Sequence, residues 1–306
     1  MNGTISQPRL RILSRSIDYL ALTKPELTAL SVLTSLCGFY LGTSGPFDYW
    51  RFIHVALGTA LVGGGAGALN QFIERGYDAL MKRTERRPLP AGRLQPLEGL
   101  IFGCVASMLG IIDLCLFTNM LTGFLAAATF ATYIFLYTPL KRITPYSTLI
   151  GAVPGALPPV LGWAAARNEV NLGAALLFAI VFCWQMPHFL SLAWMYRRDY
   201  ARAGFKILTV ADPDGKRTSH EIVAYSIALV PVSLLPAFAG MTGLASMAGA
   251  IILSLAFLSI SVMLSRHAGN PQTIIGGKFN SYSRRLFFAS LVYLPSLLLL
   301  IALDKA

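Results

Sequence analysis

The chain has 306 residues, of which 55% are hydrophobic and 13% are charged, and its formal net charge is +11. Soluble globular domains carry about 25% charged residues, so the composition excludes an ordinary soluble protein and indicates an integral membrane protein. The basic residues lie in short stretches between apolar segments rather than on a free domain, which argues against a nucleic-acid-binding protein.

Nine apolar segments follow a polar stretch at the N-terminus. Each is about as long as a helix that crosses the hydrocarbon core of a bilayer, and none alternates apolar and polar residues as the strands of an outer-membrane barrel do. The segments cover residues 26–44, 52–72, 98–117, 119–138, 147–166, 172–195, 221–240, 243–265 and 286–303. We therefore predict an all-α integral membrane protein, a bundle of about nine transmembrane helices. A polar tail at residues 1–20 precedes one membrane domain at residues 21–306.

The distribution of basic residues predicts how this bundle is oriented. Of the 25 lysines and arginines, 22 fall on the N-terminal tail and in the connections at the same end of the spans, which we call the basic face. The opposite face carries only Arg51, Arg167 and Lys305. Because cytoplasmic connections are enriched in Lys and Arg, we expect the N-terminus in the cytoplasm and the C-terminus outside. A bacterial inner membrane is the expected location, and a mitochondrial one is less favoured because the tail is short.

Three polar residues mark the end of the second span: Asn70, Glu74 and Asp78, each four residues from the next. On a helix this spacing places all three on one face. A basic cluster follows at once, made of Lys82, Arg83, Arg86 and Arg87. Carboxylate and amide oxygens are hard ligands that suit Mg²⁺, and basic side chains suit phosphate oxygens. This stretch therefore predicts a site for magnesium and a diphosphate.

A tyrosine and a lysine mark the end of the fourth span. Tyr137 and Lys141 lie one helical turn apart in the stretch YTPLKR. Lys141 is a mobile point charge that suits a phosphate, and Tyr137 can hydrogen-bond a phosphate or shield a cation with its π face. Taken alone, the pair is explained better by the ordinary belt of Tyr and Lys at a membrane interface.

The fifth span contains three prolines, Pro154, Pro158 and Pro159. Prolines free backbone carbonyls and bend helices. The bent helix either lines a substrate cavity or carries one of the kinks that are common in membrane bundles, and the sequence leaves both possibilities open.

The sixth span ends in WQMPHFLSLAWMYRRDYARAG, residues 184–204. Asp199 is a candidate third carboxylate for the same metal, although an exposed aspartate paired with arginine explains it as well. Gln185 and His188 lie inside the apolar part. A buried histidine is usually a hydrogen-bonded core residue; the alternative is contact with a porphyrin or its iron, because neutral imidazole is a good iron ligand.

The three polar groups all lie at the basic ends of even-numbered spans. Together they supply carboxylates, an amide and cations. A metal-bound diphosphate at the mouth of a lipophilic cavity explains all three at once.

Six blocks in order resemble a known family. They are LTKPEL, NQFIERGYDALMKRTERRPLPAG, YTPLKRITPYST, GAVPGALPPVLGWAA, WQMPHF and DYARAG. The chain resembles the UbiA superfamily of intramembrane prenyltransferases, and within it the branch that farnesylates heme. Two departures stand out: Glu74 occupies a position where the family favours aspartate, and Met195 lies four residues before Asp199 where the wider superfamily has a second aspartate.

The resemblance implies a reaction and a set of site residues. The farnesyl group of farnesyl diphosphate joins a vinyl group of heme B, water adds, and heme O and diphosphate leave; heme B is a substrate rather than a cofactor. A partnership with heme A synthase is implied by the resemblance alone. The implied Mg²⁺ ligands are Asn70, Glu74, Asp78 and Asp199. The implied diphosphate-binding residues are Lys82, Arg83, Arg87 and Lys141, with Tyr137 beside them, and the implied heme-binding residues are Gln185 and His188.

Two alternatives remain open at this stage. One is a prenyltransferase of the same superfamily that acts on a quinone or chlorin precursor, which the WQMPHF block and the single Asp199 disfavour. The other is a transporter or a non-catalytic membrane scaffold. The absence of obvious repeats and the concentration of polar residues at one face, not at the midplane, disfavour transport.

Overall fold

A computed structural model describes the backbone of residues 7–306 and the side chains from residue 14 onward. All regular structure in this range is helical. The helices are α1 (Gln7–Leu22), α2 (Pro25–Gly42), α3 (Tyr49–Asp78), α4 (Pro96–Phe117), α5 (Met120–Ala131), a π-helical turn (Thr132–Tyr137), α6 (Thr138–Leu140), α7 (Ser147–Arg167), α8 (Leu172–Met195), α9 (Arg197–Arg202), α10 (Leu208–Ala211), α11 (Lys216–Phe238), α12 (Leu244–Ser265), α13 (Pro271–Ile275) and α14 (Lys278–Leu303).

The predicted all-α membrane fold is confirmed. Within residues 7–306, eight helical segments are long and apolar enough to cross a membrane: α3, α4, the segment Met120–Leu140, α7, α8, α11, α12 and α14. The first predicted span, 26–44, also forms a helix, α2, but Glu26 and several hydroxyl side chains keep it out of this group. The structure thus shows eight clear spans where the sequence predicted about nine.

The predicted polar tail is helical over most of its length. Residues 1–6 lie outside the described residues, as do the side chains of Arg9 and Arg11, and α1 begins at Gln7. The tail packs back on the bundle, because Asp18 accepts a hydrogen bond from Arg93 Nε at 2.8 Å. The division at residue 20 and the orientation of the termini stay predictions.

Neighbouring helices in the chain are mostly neighbours in space. α2 packs on α3, α3 on α4, α4 on α5, α5 on α7, α7 on α8, α8 on α11 and α11 on α12. α12 packs on α14, which returns to contact α8 and α2 and so closes the bundle. α2 also lies against α7 along most of its length, which places these two helices together at the centre.

α2 and α7 cross with their backbones in contact. A Cβ atom added at Gly162 would lie 1.7 Å from the carbonyl oxygen of Ser35, and one added at Gly38 would lie 2.0 Å from that of Pro159. Such small residues let membrane helices approach closely. On α3, a Cβ at Gly65 would lie 2.2 Å from Ser107 Oγ on α4, so the small residues that precede Asn70 do pack tightly.

The fourth span departs from regular α geometry near the basic face, whereas the proline-containing fifth span does not. The π-helical turn breaks the fourth span just before Lys141, and π-helical turns often occur at functional sites. α7 continues through Pro154, Pro158 and Pro159 without a break. The π-helical turn and the proline-containing part of α7 both lie beside one cavity, as described below.

Candidate functional site

An apolar cavity opens between α2, α3, α5, α7 and α8. Apolar and small side chains form most of its wall, and Pro154 and Pro158 of α7 are among them. Two of the three prolines of the fifth span therefore do line a cavity. Lys24 and Tyr137 also line it, at the end nearer the basic face.

The polar row at the end of α3 is buried. Asn70, Glu74 and Asp78 are 0%, 6% and 1% exposed. α3 continues to Asp78, six residues beyond the predicted end of the span, and this extension keeps the three residues on successive turns of one helix. The predicted spacing and its consequence for one helix face are confirmed.

Each member of this row faces a cation. Lys141 Nζ lies 2.7 Å from Glu74 Oε1, and Arg87 Nη1 lies 2.8 Å from Asp78 Oδ2. Lys24 Nζ donates a hydrogen bond to Asn70 Oδ1. The site therefore combines a line of oxygen ligands with a line of buried or half-buried cations.

Lys24 is a site residue that the sequence argument did not single out. It lies between α1 and α2 with φ of 49° and ψ of 64°. Gln71 holds this joint from α3, because its Nε2 donates to the carbonyls of Ala21 at 2.9 Å and Leu22 at 3.1 Å. The only signal in the sequence was its place in the LTKPEL block.

Burial and neighbouring charges act on the two lysines in opposite directions. Burial, together with Arg87 and Lys141, lowers the pKa of Lys24 to about 7. Burial alone would also lower the pKa of Lys141, but Glu74 and the two tyrosines Tyr137 and Tyr133 outweigh it and raise that pKa. Lys141 is thus a fixed positive charge, whereas an anion bound beside Lys24 would favour its charged form.

Tyr137 presents its π face to Lys141. The ammonium nitrogen lies 4.6 Å from the ring centroid, which is within the range of a cation–π contact. Asn70 reaches the same region, because its Nδ2 donates to Thr138 Oγ1 at 3.1 Å. The fourth span thus contacts Asn70 and Glu74 on α3 through Thr138 and Lys141.

Asp199 lies on α9 and contacts the loop that follows α3. Its carboxylate accepts a hydrogen bond from the backbone N–H of Arg83 at 3.4 Å and pairs with Arg202 at 3.4 Å. The Arg83 guanidinium stacks on Tyr196 and donates to the hydroxyl of Tyr200 at 2.9 Å. Among the described side chains, no three Asp, Glu, His or Cys residues come together as a metal cluster, so the structure does not unite Asp199 with Glu74 and Asp78.

The predicted diphosphate-binding cations divide into two groups. Arg87 and Lys141 pair with the α3 carboxylates. Arg83 is engaged by tyrosines, and Lys82 is exposed with no hydrogen bond or ion pair to any side chain from residue 14 onward. The structure therefore brings together only part of the predicted set.

One buried oxygen supports metal binding at the α3 row. Asp78 Oδ1 is buried and has no hydrogen-bond partner in the described part of the chain, although Oδ2 pairs with Arg87. A buried unpaired carboxylate oxygen costs free energy unless a cation or a donor satisfies it. The oxygens of Asn70, Glu74 and Asp78 are of the type that Mg²⁺ prefers, so these residues fit the metal.

Gln185 and His188 lie deeper in the cavity wall. Gln185 Nε2 donates to the carbonyl of Ala152 at 2.7 Å. His188 is 5% exposed, and its Nδ1 lies 2.7 Å from Ser290 Oγ on α14. Both side chains also border the cavity, so each is hydrogen-bonded in the core and accessible from the cavity at once.

Comparison with known proteins places these features in a family. Residues 31–301 match the sequence profile of the UbiA prenyltransferase family. The protoheme IX farnesyltransferase of Solibacter usitatus is 43% identical over 94% of this chain and 98% of that protein. The enzyme of the same name from Koribacter versatilis is 41% identical over 98% and 97% of the two chains. That from Salinibacter ruber is 42% identical over 94% and 98%.

Solved structures share the fold at low sequence identity. A digeranylgeranylglyceryl phosphate synthase superposes with a TM-score of 0.76 at 15% identity and covers 95% of this chain and 98% of its own. A UbiA homologue from Archaeoglobus fulgidus, bound to DMAPP and Mg²⁺, superposes with a TM-score of 0.62 at 14% identity over 91% of this chain and 99% of its own.

Proposed function

Because the chain belongs to the UbiA prenyltransferase family, we propose that it transfers the farnesyl group of farnesyl diphosphate to a vinyl group of heme B. Water adds in the same reaction, and the products are heme O and diphosphate. Relatives named protoheme IX farnesyltransferase match nearly the whole chain. The observation that carries the proposal is the buried row Asn70, Glu74 and Asp78, facing three cations at the mouth of an apolar cavity.

The α3 row holds the metal in this proposal. Asn70, Glu74 and Asp78 supply oxygen ligands, and Asp199 joins them from α9, which follows α8. Bound Mg²⁺ supplies positive charge next to the diphosphate and so stabilises the negative charge of the leaving group. Glutamate at position 74 is longer than aspartate but remains a hard oxygen ligand.

The cations bind and orient the diphosphate. Lys24, Arg87 and Lys141 each contact a different residue of the α3 row, and they stabilise charge on the leaving diphosphate. Arg83 and Lys82 extend this basic surface outward. Tyr137 keeps Lys141 in place through its π face.

The cavity excludes water while the allylic bond breaks. The C–O bond of farnesyl diphosphate breaks, and its electron pair leaves with diphosphate. The π electrons of the heme vinyl group then form the new C–C bond, and the positive charge moves to the carbon next to the porphyrin. Water adds to that carbon and loses a proton, which gives the hydroxyl group of the product. An apolar wall protects the allylic cation until the vinyl carbon reacts.

Heme B enters from the lipid with its propionates toward the basic face. His188 and Gln185 border the part of the cavity that the macrocycle reaches. The chain is a multi-pass membrane protein, and its bacterial relatives support the proposal of a bacterial inner membrane. A transient contact with heme A synthase stays a prediction.

Purified protein in detergent, supplied with heme B, farnesyl diphosphate and Mg²⁺, tests the reaction. We expect a product with the mass of heme plus a farnesyl group and a hydroxyl group, resolved by chromatography and mass spectrometry. EDTA should abolish it. The variant Asp78→Asn should lose nearly all activity while it keeps its fold, because the amide has the shape of the carboxylate without its charge.

Other acceptors decide between the remaining functions. If folded wild-type protein leaves heme B unchanged but prenylates 4-hydroxybenzoate, the enzyme belongs to the quinone branch. If no acceptor reacts, and Asp78→Asn binds diphosphate as wild type does, the α3 row is not a catalytic metal site.

A further inference from the structure

The side chains of Trp184, Phe287 and Ser290, on α8 and α14, pack around His188. Its ring stacks between Trp184, with centroids 4.9 Å apart, and Phe287, with centroids 4.8 Å apart. Its Nδ1 lies 2.7 Å from Ser290 Oγ. Trp184 Nε1 in turn donates to the backbone carbonyl of Ser290 at 2.8 Å. The imidazole is therefore held in its plane by two rings and at one nitrogen by one hydroxyl.

The hydroxyl of Ser290 has a second partner, and this partner fixes the direction of the first hydrogen bond. Ser290 Oγ lies 2.5 Å from the carbonyl oxygen of Phe287. A carbonyl can only accept, and a serine hydroxyl has one hydrogen to donate. If that hydrogen pointed to His188, the two oxygens would face each other at 2.5 Å with no hydrogen between them. Ser290 therefore donates to Phe287 and accepts from His188 Nδ1–H.

The second nitrogen of His188 is then the one without a proton. A neutral imidazole carries its proton on one nitrogen and a lone pair on the other. With the proton on Nδ1, the lone pair belongs to Nε2. This atom has no hydrogen-bond partner in residues 14–306 and is not among the enclosed polar atoms, and His188 lines the cavity. The lone pair therefore faces the cavity.

We propose that Ser290 is a positioning residue that fixes His188 as the Nδ1–H tautomer, so that Nε2 presents its lone pair to the iron of the porphyrin substrate. This inference rests on the proposed function, because it deepens the account of heme binding at the same cavity. Hydrogen bonds of this kind to the far nitrogen of a metal-ligating histidine set its tautomer, orient the ring and raise its basicity. Ser290 would do this from α14, a helix that contributes none of the metal or diphosphate residues.

The role of Ser290 differs from that of an ordinary helix serine. Ser283 lies on the same helix, is equally buried and donates to the carbonyl of Phe279 at 2.9 Å, but it has no contact with a histidine. Replacing Ser283 removes one buried backbone contact and nothing else. It is therefore the matched control for Ser290.

Titration of detergent-solubilised full-length protein with ferric heme B tests the proposal, with the absorption and electron paramagnetic resonance spectra recorded at each point. We expect Ser290→Ala to weaken heme binding by about 10–100-fold and to shift the spectrum away from the histidine-ligated form toward that of His188→Ala. Ser283→Ala should keep the wild-type affinity and spectrum. Ser290→Thr, which keeps a hydroxyl, should restore both.

Unchanged heme affinity and an unchanged spectrum in folded Ser290→Ala would overturn the proposal while the proposed function stands. If Ser290→Ala does not fold, Ser290→Cys replaces it, and a wild-type spectrum in that variant has the same meaning because sulfur is a weak acceptor. Wild-type protein that neither binds heme B nor converts it would overturn the proposed function and, with it, this inference.

Discussion

Lys24 and Lys82 differ in burial, a difference that the sequence alone does not reveal. Lys82 follows directly after the α3 row and is the obvious partner for a phosphate, but it is exposed. Lys24 lies far away in the sequence, yet its ammonium group donates to Asn70 inside the site. A charge held inside the site acts on a bound diphosphate far more strongly than one in water.

We therefore predict that Lys24→Met raises the KM for farnesyl diphosphate by about 10–100-fold, which corresponds to the loss of a charged hydrogen bond worth about 1.5–3 kcal/mol. Lys82→Met should change KM only a few-fold, as expected for an exposed ion pair worth about 0.2–1 kcal/mol. Steady-state kinetics at saturating heme B measure both values. A larger effect of Lys82→Met would show that the basic loop, and not the α1–α2 joint, binds the diphosphate.

Local spacing accounts for what could be predicted among these residues. The row of Asn70, Glu74 and Asp78 follows from the helical repeat, and so does the pair of Tyr137 and Lys141. The contacts of Lys24 with Asn70 and of His188 with Ser290 join residues 46 and 102 positions apart. A single sequence contains no periodicity that reports such pairs, so neither partner was predicted.

Single elements were predicted well where hydropathy decides them. The apolar segments correspond closely to helices, because the bilayer requires both length and apolar character. The π-helical turn at Thr132–Tyr137 was not predicted, because TYIFLY is as apolar as the rest of its span. The close crossing of α2 and α7 was not predicted either. In the sequence, Gly38 and Gly162 are ordinary small residues, and only the structure shows which backbone each one contacts.

The α2–α7 crossing leaves no room for a methyl group. We predict that Gly162→Ala lowers the stability of the bundle by at least the upper end of the about 1–3 kcal/mol typical of overpacking, because the new Cβ would meet the backbone of Ser35, which cannot rotate away. The midpoint of thermal unfolding in detergent measures the change.

Gly76 on α3 is the control for this substitution. A Cβ there would meet nothing within 4 Å, so Gly76→Ala should be neutral or should stabilise the protein by about 0.5–1 kcal/mol through better helix propensity. An equal loss of stability in both variants would mean that the close contact between α2 and α7 is not the cause of the loss in Gly162→Ala.

The whole molecule is strongly asymmetric in charge. Of its 25 basic residues, 22 belong to the basic face, and the α3 row and its cations lie at the same end. We therefore expect membrane insertion and substrate binding to use the same asymmetry. Connections rich in Lys and Arg stay in the cytoplasm, and anionic head groups gather where those residues are.

This asymmetry predicts which loops are reached from outside the cell. In a variant whose four cysteines are replaced by alanine, Ser44→Cys, in the connection between α2 and α3, should react with a membrane-impermeant maleimide in intact cells. Gln272→Cys on α13, at the basic face, should react only after the membrane is permeabilised. Both positions are exposed. The reverse pattern would place the metal site on the outer side.

Lys24 also has an unfavourable backbone conformation. Its φ of 49° is one of only two positive values at non-glycine residues in the described chain, and this left-handed conformation costs an L-residue about 1–2 kcal/mol. Glycine would relieve that strain but would remove the ammonium group. Gln71 holds the joint between α1 and α2 in this conformation, because its side chain donates two hydrogen bonds to the end of α1. α1 therefore supports the candidate site, and we expect a shortened or displaced α1 to let Lys24 move away from Asn70.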